Sequence, residues 1–128
     1  TDSKKSYYYI DKAGKEILQP ASGLNFESDF SEGLAVFSSD TLNEHKEHTK
    51  KCGYIDKKGK IVIKPDYDYA TDFSEGLAGV YKQAWVYIDK TGKTKIVLKT
   101  GHYEIHPYRD GIALVVNRLG GYESGDKP

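Results

Sequence analysis

One cysteine, one tryptophan, four prolines and no methionine occur in this chain of 128 residues. A single thiol, Cys52, excludes an internal disulfide, and with it the small stapled secreted domains that rely on several. No apolar run approaches the ~20 residues that a membrane-crossing helix needs, so membrane insertion is not expected. Neither sign of charge is in excess. Lys and Arg number 19, Asp and Glu number 19, and no basic run exceeds two residues, as at Lys50-Lys51. A nucleic-acid binder more often shows a basic surplus, so nucleic acid is not expected as a partner, although a local patch can survive a zero sum. Catalytic motifs are also missing. There is no Gly-x-Ser-x-Gly, no cysteine-enzyme signature around Cys52, and no phosphate-binding glycine loop leading into a helix. No enzyme activity and no cofactor are expected. The chain opens on Thr1 without a leader pattern, which fits a mature form or a segment of something longer.

What the chain has instead is repetition. Tyr9-Ile10-Asp11-Lys12-Ala13-Gly14-Lys15 returns as Tyr54-Ile55-Asp56-Lys57-Lys58-Gly59-Lys60 and as Tyr87-Ile88-Asp89-Lys90-Thr91-Gly92-Lys93. A second block follows each. It reads Phe30-Ser31-Glu32-Gly33-Leu34-Ala35, Phe73-Ser74-Glu75-Gly76-Leu77-Ala78, and a looser Tyr108-Arg109-Asp110-Gly111-Ile112-Ala113. Self-similarity on this scale signals one supersecondary unit copied and stacked. Ile55 and Ile88 lie 33 residues apart and Gly76 and Gly111 lie 35 apart, whereas Ile10 and Ile55 lie 45 apart. The first copy is stretched by the polar run 38–51. The expected organisation is one domain over 1–128. Copy one covers about 7–51, copy two about 52–84 and copy three about 85–119, with a partial fourth start at 120–128.

Each copy reads as strands. Asp at the first position and Gly at the last fit a type I turn closing a hairpin. The β-branched runs Ile61-Val62-Ile63 and Ile96-Val97-Leu98 follow, with Ile17-Leu18 as the shorter first counterpart. Pro20 and Pro65 are expected to end that strand. A connection of seven to nine residues then leads to the Ser-Glu-Gly turn and a further strand, giving about three strands per copy. Gly or Pro interrupts nearly every window long enough for a helix; only Leu42 to Cys52 is free of breakers and admits a short exposed one. The expected fold class is all-β, with three tandem antiparallel β-meander repeats stacked as an open or partly closed array. Three copies fall short of the four or more blades usual in propellers.

The unit Gly-Tyr-Ile-Asp-Lys-x-Gly-Lys-Ile-Val-Ile-Lys-Pro, followed by Asp-Phe-Ser-Glu-Gly-Leu-Ala, resembles the WG-repeat family of bacterial proteins from about Tyr7 to Tyr122. The Trp-Gly pair that names the family is intact nowhere here. Its place holds Tyr7-Tyr8, Cys52-Gly53 and Trp85-Val86 in turn. The resemblance implies β-rich repeats, a bacterial source and a binding role, and carries over no catalytic residue. An extracytoplasmic location is compatible with it.

Asp11, Asp56 and Asp89 read as turn formers rather than ligands, as do Glu32 and Glu75. His45, His48 and Cys52 have the spacing H-x-x-H-x-x-x-C, which would share one face of a helix and offer three zinc ligands; a solvated loop is the competing reading, and no metal is expected. His102 and His106 lie about 13 Å apart on an extended strand, too far to share an ion. Aromatics are the stronger lead among 11 Tyr, one Trp and four Phe. Those at fixed repeat positions, Tyr9, Tyr54 and Tyr87 with Phe30, Phe73 and Tyr108, are expected to pack copy against copy. Tyr67, Tyr69, Trp85 and Tyr103 fall outside that pattern and are the candidate binding residues, since Tyr and Trp combine a flat apolar face with a polar tip. A protein partner is the first expectation, and a carbohydrate or cell-envelope glycan stacked on Tyr and Trp is the second.

Overall fold

Two kinds of turn set the geometry of the chain. In 11–15, 56–60 and 89–93 the Asp carboxylate accepts the backbone N–H groups two and four residues ahead, at 2.9–3.1 Å. The glycine N–H closes on the Asp carbonyl at 2.9–3.0 Å. Gly14, Gly59 and Gly92 take φ of 84°, 85° and 90°, the left-handed conformation that completes a three-residue hairpin loop. These bonds favour the ionised carboxylate. The Lys60 N–H foremost holds the Asp56 carboxyl below its ordinary range, and the Thr91 hydroxyl foremost does so for Asp89. The second turn has two successive positive φ values: Glu32 and Gly33 at 56° and 84°, Glu75 and Gly76 at 55° and 81°, Asp110 and Gly111 at 55° and 78°. Ser31 with Leu34 and Ser74 with Leu77 exchange backbone bonds in both directions, as in a type I′ hairpin turn.

The computed structural model describes residues 8–19, 24–42, 44–99 and 103–117, and all regular structure among them is β-strand. The elements are β1 (Tyr9–Ile10), β2 (Glu16–Leu18), β3 (Leu24–Phe26), β4 (Leu34–Leu42), β5 (His48–Asp56), β6 (Ile61–Tyr67), β7 (Tyr69–Ala70), β8 (Ala78–Tyr81), β9 (Trp85–Ile88), β10 (Thr94–Val97), β11 (Tyr103–Arg109) and β12 (Ile112–Asn117). They form several antiparallel sheets without a closed barrel. Two are four-stranded, β3-β4-β5-β6 and β7-β8-β9-β10, and two are two-stranded, β1-β2 and β11-β12.

Three expectations change at this point. The connection before each Phe-Ser-Glu-Gly block, or its equivalent, is itself extended, as β3, β7 and β11, so the chain has four strands per sequence unit rather than three. These segments are poor in β-branched residues, and cross-strand pairing with β4, β8 and β12 supplies what propensity does not. Pro65 does not end its strand. β6 continues through it to Tyr67, which proline permits because β6 is the edge of its sheet and the β5–β6 register already slips between Cys52 and Tyr54. Pro20 lies outside the described residues. Of the polar run 38–51, residues 38–42 and 48–51 are strand and 44–46 are a turn, in place of the expected solvated loop or helix. The run prolongs β4 and β5 as a hairpin arm, pairing Ser38↔Cys52, Asp40↔Lys50 and Leu42↔His48. Opposite charges meet across this arm, and His48 Nδ1 lies 3.2 Å from Asp40.

The core follows from the tyrosines. Tyr54, Phe73, Val80 and Ile88 are fully buried in one cluster with Val36 and Ile63, while Ala35, Phe37 and Ile55 gather Tyr9, Phe26 and Phe30 around them. The cluster around Tyr54 and Phe73 takes in Val36 of the preceding unit and Ile88 of the following one, while the ring-to-ring pairs at fixed repeat positions form within a unit. The pairs are Tyr9–Phe30 (4.7 Å between centroids), Tyr54–Phe73 (4.7 Å) and Tyr87–Tyr108 (5.0 Å). Each tyrosine hydroxyl then donates to a main-chain carbonyl: Tyr9 to Ser28 (2.7 Å), Tyr54 to Thr71 (2.6 Å), Tyr87 to His106 (2.9 Å). Gly53 is required for a separate reason. A Cβ there would stand 2.4 Å from the Ile63 carbonyl oxygen, which is backbone and cannot step aside.

Contacts between units run through the second turn. The Ser31 hydroxyl donates to the Phe73 carbonyl (2.6 Å), and the Ser74 hydroxyl donates to the Tyr108 carbonyl. Glu32 accepts the N–H groups of Glu75 (2.5 Å) and Gly76 (2.9 Å), and Glu75 accepts that of Gly111 (2.7 Å). The Gly76 N–H, with the Glu75 N–H and nearby Lys90, holds the Glu32 carboxyl below its usual range. Such a group stabilises the fold above its ordinary carboxylate pKa, near 4.3, and the contribution is lost as pH falls through its lower folded value. Glu32→Gln should therefore lower the melting temperature at pH 7, and the difference from wild type should shrink by pH 3, as read by thermal circular dichroism. Tyr54→Phe leaves the Thr71 carbonyl buried without its donor. It should cost about 1–3 kcal/mol in urea unfolding, against under about 1 kcal/mol for the more accessible Tyr9→Phe.

Candidate functional site

Aligned on Phe30, Phe73 and Tyr108, the preceding residues Glu27-Ser28, Ala70-Thr71 and Ile105-His106 fall at the same offset. The fold brings these segments to the wall of one open groove of about 780 Å³. The tyrosine hydroxyls described above bond the carbonyls of Ser28, Thr71 and His106, so the groove wall is pinned at three equivalent points. Ser28 and Thr71 add a local lock. The Ser28 hydroxyl accepts the Val36 N–H (2.9 Å) and donates to the Asp29 carbonyl (2.9 Å). The Thr71 hydroxyl accepts the Gly79 N–H (2.9 Å) and donates to the Asp72 carbonyl (3.1 Å). Each lock holds the strand where it leaves its sheet for the next turn.

The groove surface is apolar in part, with Val36, Cys52, Ala70 and Ile105, and acidic in its charges, with Glu27, Asp68, Asp72 and Glu104 against Lys50. Glu27 accepts the Ser38 hydroxyl at 2.5 Å and lies 3.4 Å from Lys50. Asp68 is held by Lys51, and Glu104 lies 2.9 Å from His106 Nε2. Asp72 projects a negative field that helps raise the Tyr9 and Tyr54 hydroxyl pKa values, for which burial is the main cause. Counting both lysines, the four carboxylates still outnumber the groove's Lys50 and Lys51, a local surplus that the zero net charge of the chain conceals.

Of the four expected binding residues, the structure brings two together. Tyr69, which lines the groove, meets Trp85 edge-on at 5.5 Å, and Tyr81 packs on Trp85 at 4.7 Å. The three stand opposite one another across β7, β8 and β9. Tyr67 instead packs against the main core cluster opposite Cys52, where burial raises its hydroxyl pKa. Tyr103 opens β11 opposite Asn117 and makes no ring contact among the described residues. Tyr81 and the acidic groove residues escaped the sequence reading. Alignment of the copies on the Phe-Ser-Glu-Gly block points to the groove segments but not to these residues, because Glu27, Asp68, Asp72 and Glu104 stand at unlike offsets before the aligned ring and Tyr81 follows the turn.

The zinc arrangement loses its premise. His48 and Cys52 lie on a strand and His45 lies in the hairpin turn, so helical spacing does not apply. Among the described residues no group of three His, Cys, Asp or Glu side chains is placed to hold a metal ion. His102 lies outside the described residues. Cys52 is buried, and desolvation raises its thiol pKa, so it presents a neutral wall rather than a nucleophile. In native protein at pH 8 a thiol-reactive disulfide reagent should label Cys52 slowly, with one thiol per chain released rapidly on adding urea.

Comparison with known proteins gives one match. Residues 53–83 fit the family model of the WG containing repeat. No curated protein and no solved structure matches the chain.

Proposed function

From the premise that this is a WG-repeat chain, matched over 53–83, we propose a non-catalytic binding module that takes a protein partner along the acidic groove. In this reading the chain is three stacked copies of one four-stranded unit, about 7–51, 52–84 and 85–119. The observation that supports it most is the convergence of equivalent segments, 27–28, 68–72 and 104–107, on a single surface. A repeat stack offers a long concave face that no single unit supplies. Main-chain atoms on that face are anchored from beneath by buried tyrosines, so little ordering is needed when a partner binds. Four carboxylates against Lys50 and Lys51, over an apolar floor, favour an extended segment that alternates Lys or Arg with apolar side chains.

A glycan is the second reading, and the Tyr69–Trp85–Tyr81 cluster favours it. Sugar stacking needs an open ring face. Trp85 is engaged edge-on by Tyr69 and obliquely by Tyr81, which leaves half-exposed Tyr69 as the better platform.

Both readings are tested by intrinsic fluorescence, because the only tryptophan of the chain adjoins the groove through Tyr69. Immobilised or titrated peptides of alternating Lys and Leu should bind, and their acidic counterparts should not. Asp72→Lys with Glu104→Lys should weaken binding at least tenfold, as should a rise from 0.05 to 0.5 M salt, on the order expected for exposed charge complementarity. Binding confined to a glycan array and lost in Tyr69→Ala would replace the protein reading with the carbohydrate one.

A further inference from the structure

The end hairpins β1-β2 and β11-β12 have the form of two halves of one sheet, and we propose that they join between copies of this chain, head to tail. Both internal sheets have the same composition. β3-β4-β5-β6 and β7-β8-β9-β10 each combine the two strands that close one sequence unit with the two that open the next. Joining β11-β12 of one molecule to β1-β2 of another gives β11-β12-β1-β2, a third sheet of that kind. Among the described residues β12 pairs only with β11 and β1 only with β2. Their counterparts β4, β8, β5 and β9 are paired on both edges.

Burial at matching positions makes the same point. Leu34 and Val36 on β4 are 6% and 4% exposed, whereas Ile112 and Leu114 at the equivalent places on β12 are 73% and 61% exposed. Ile55 is 3% exposed, whereas Ile10, its counterpart on β1, is 56% exposed. Side-chain chemistry is nearly unchanged between these positions. What differs is the neighbouring unit. Ile112–Asn117 also carries no charged residue, so nothing on this open edge discourages another strand from pairing with it.

The ends are complementary in polar groups as well. Glu32 and Glu75 each cap turn amides of the following unit. Asp110 occupies their position in the last unit. The Glu32 and Gly33 amides, which correspond to those capped inside the chain, have no carboxylate acceptor among the described residues. The internal register sets the junction. Ala35 faces Ile55 and Ala78 faces Ile88, while Val36 faces Tyr54 and Gly79 faces Tyr87. Ala113 then faces Ile10 of the next copy, and Leu114 faces its Tyr9. Because the two surfaces differ, the contact is heterologous and extends into open chains of molecules rather than stopping at a two-fold dimer.

The inference uses the geometry of the ends and not the groove, so its failure leaves the binding reading intact. Size-exclusion chromatography with light scattering on the full 128-residue chain tests it. The mass should climb with concentration above 14.4 kDa in whole multiples. Ile10→Lys and Leu114→Lys should each weaken assembly at least tenfold with an unchanged circular dichroism spectrum, and Ile112→Lys is a second β12 variant at a more exposed position. An equimolar mixture of Ile10→Lys and Leu114→Lys retains one sound junction and should give dimers. A mass fixed at 14.4 kDa at every concentration would overturn the proposal, including the case in which residues 118–128 of the same chain cover β12. So would Ile10→Lys assembling like wild type, which points to β12 pairing with itself, or a mixture that stays monomeric.

Discussion

A buried tyrosine hydroxyl bonded to a main-chain carbonyl is the interaction on which the rest of this structure depends. The ring of Tyr54 sits in the core against Phe73, and its oxygen reaches the Thr71 carbonyl, where the chain bends from β7 toward the next turn. One side chain thereby contributes apolar burial and satisfies a carbonyl that has left its sheet. Tyr9 does the same in the first unit, and Tyr87 bonds the His106 carbonyl where the β11–β12 pairing is interrupted. The three carbonyls they fix belong to the segments that line the groove. Packing of the core and shape of the candidate site are therefore one arrangement seen from two sides.

Carboxylates serve mostly to hold backbone. Asp11, Asp56 and Asp89 fold their own turns, while Glu32 and Glu75 reach across to the turn of the following unit. That use explains how a chain with balanced charge acquires an acidic groove. Many acidic groups are committed to main-chain N–H groups at the turns, and many lysines extend from exposed hairpin loops. Glu27, Asp68, Asp72 and Glu104 fall in the strand segments between the turns, where the fold collects them on one wall.

The sheets also show why stability and assembly are linked here. Each four-stranded sheet is shared between consecutive sequence units, so no unit completes a sheet alone. Residues at one position are buried or exposed according to whether a neighbour is present, as Val36 and Leu114 demonstrate. The ends consequently present what the interior uses.

Strand class and turn chemistry were legible in the chain itself. Asp and Gly at fixed separation specify a local hydrogen-bond pattern within five residues, and that pattern forms wherever the block occurs. Other features were not legible because they depend on distant partners. β3, β7 and β11 lack strong strand propensity and form by pairing. The polar arm 38–51 is extended because β4 and β5 were already aligned by their buried portions. Pro65 sits within a strand only because that strand is an edge. The aromatic candidates divided for the same reason. Tyr69 and Trp85 meet because β8 lies between them and supplies Tyr81, whereas Tyr67, two residues from Tyr69, turns to the core. Short-range hydrogen bonding thus determined the turns from sequence alone, and the β-branched runs beside them the strands they flank. The groove, its charge and the open ends were decided by tertiary structure, since each arises where residues tens of positions apart are brought into register.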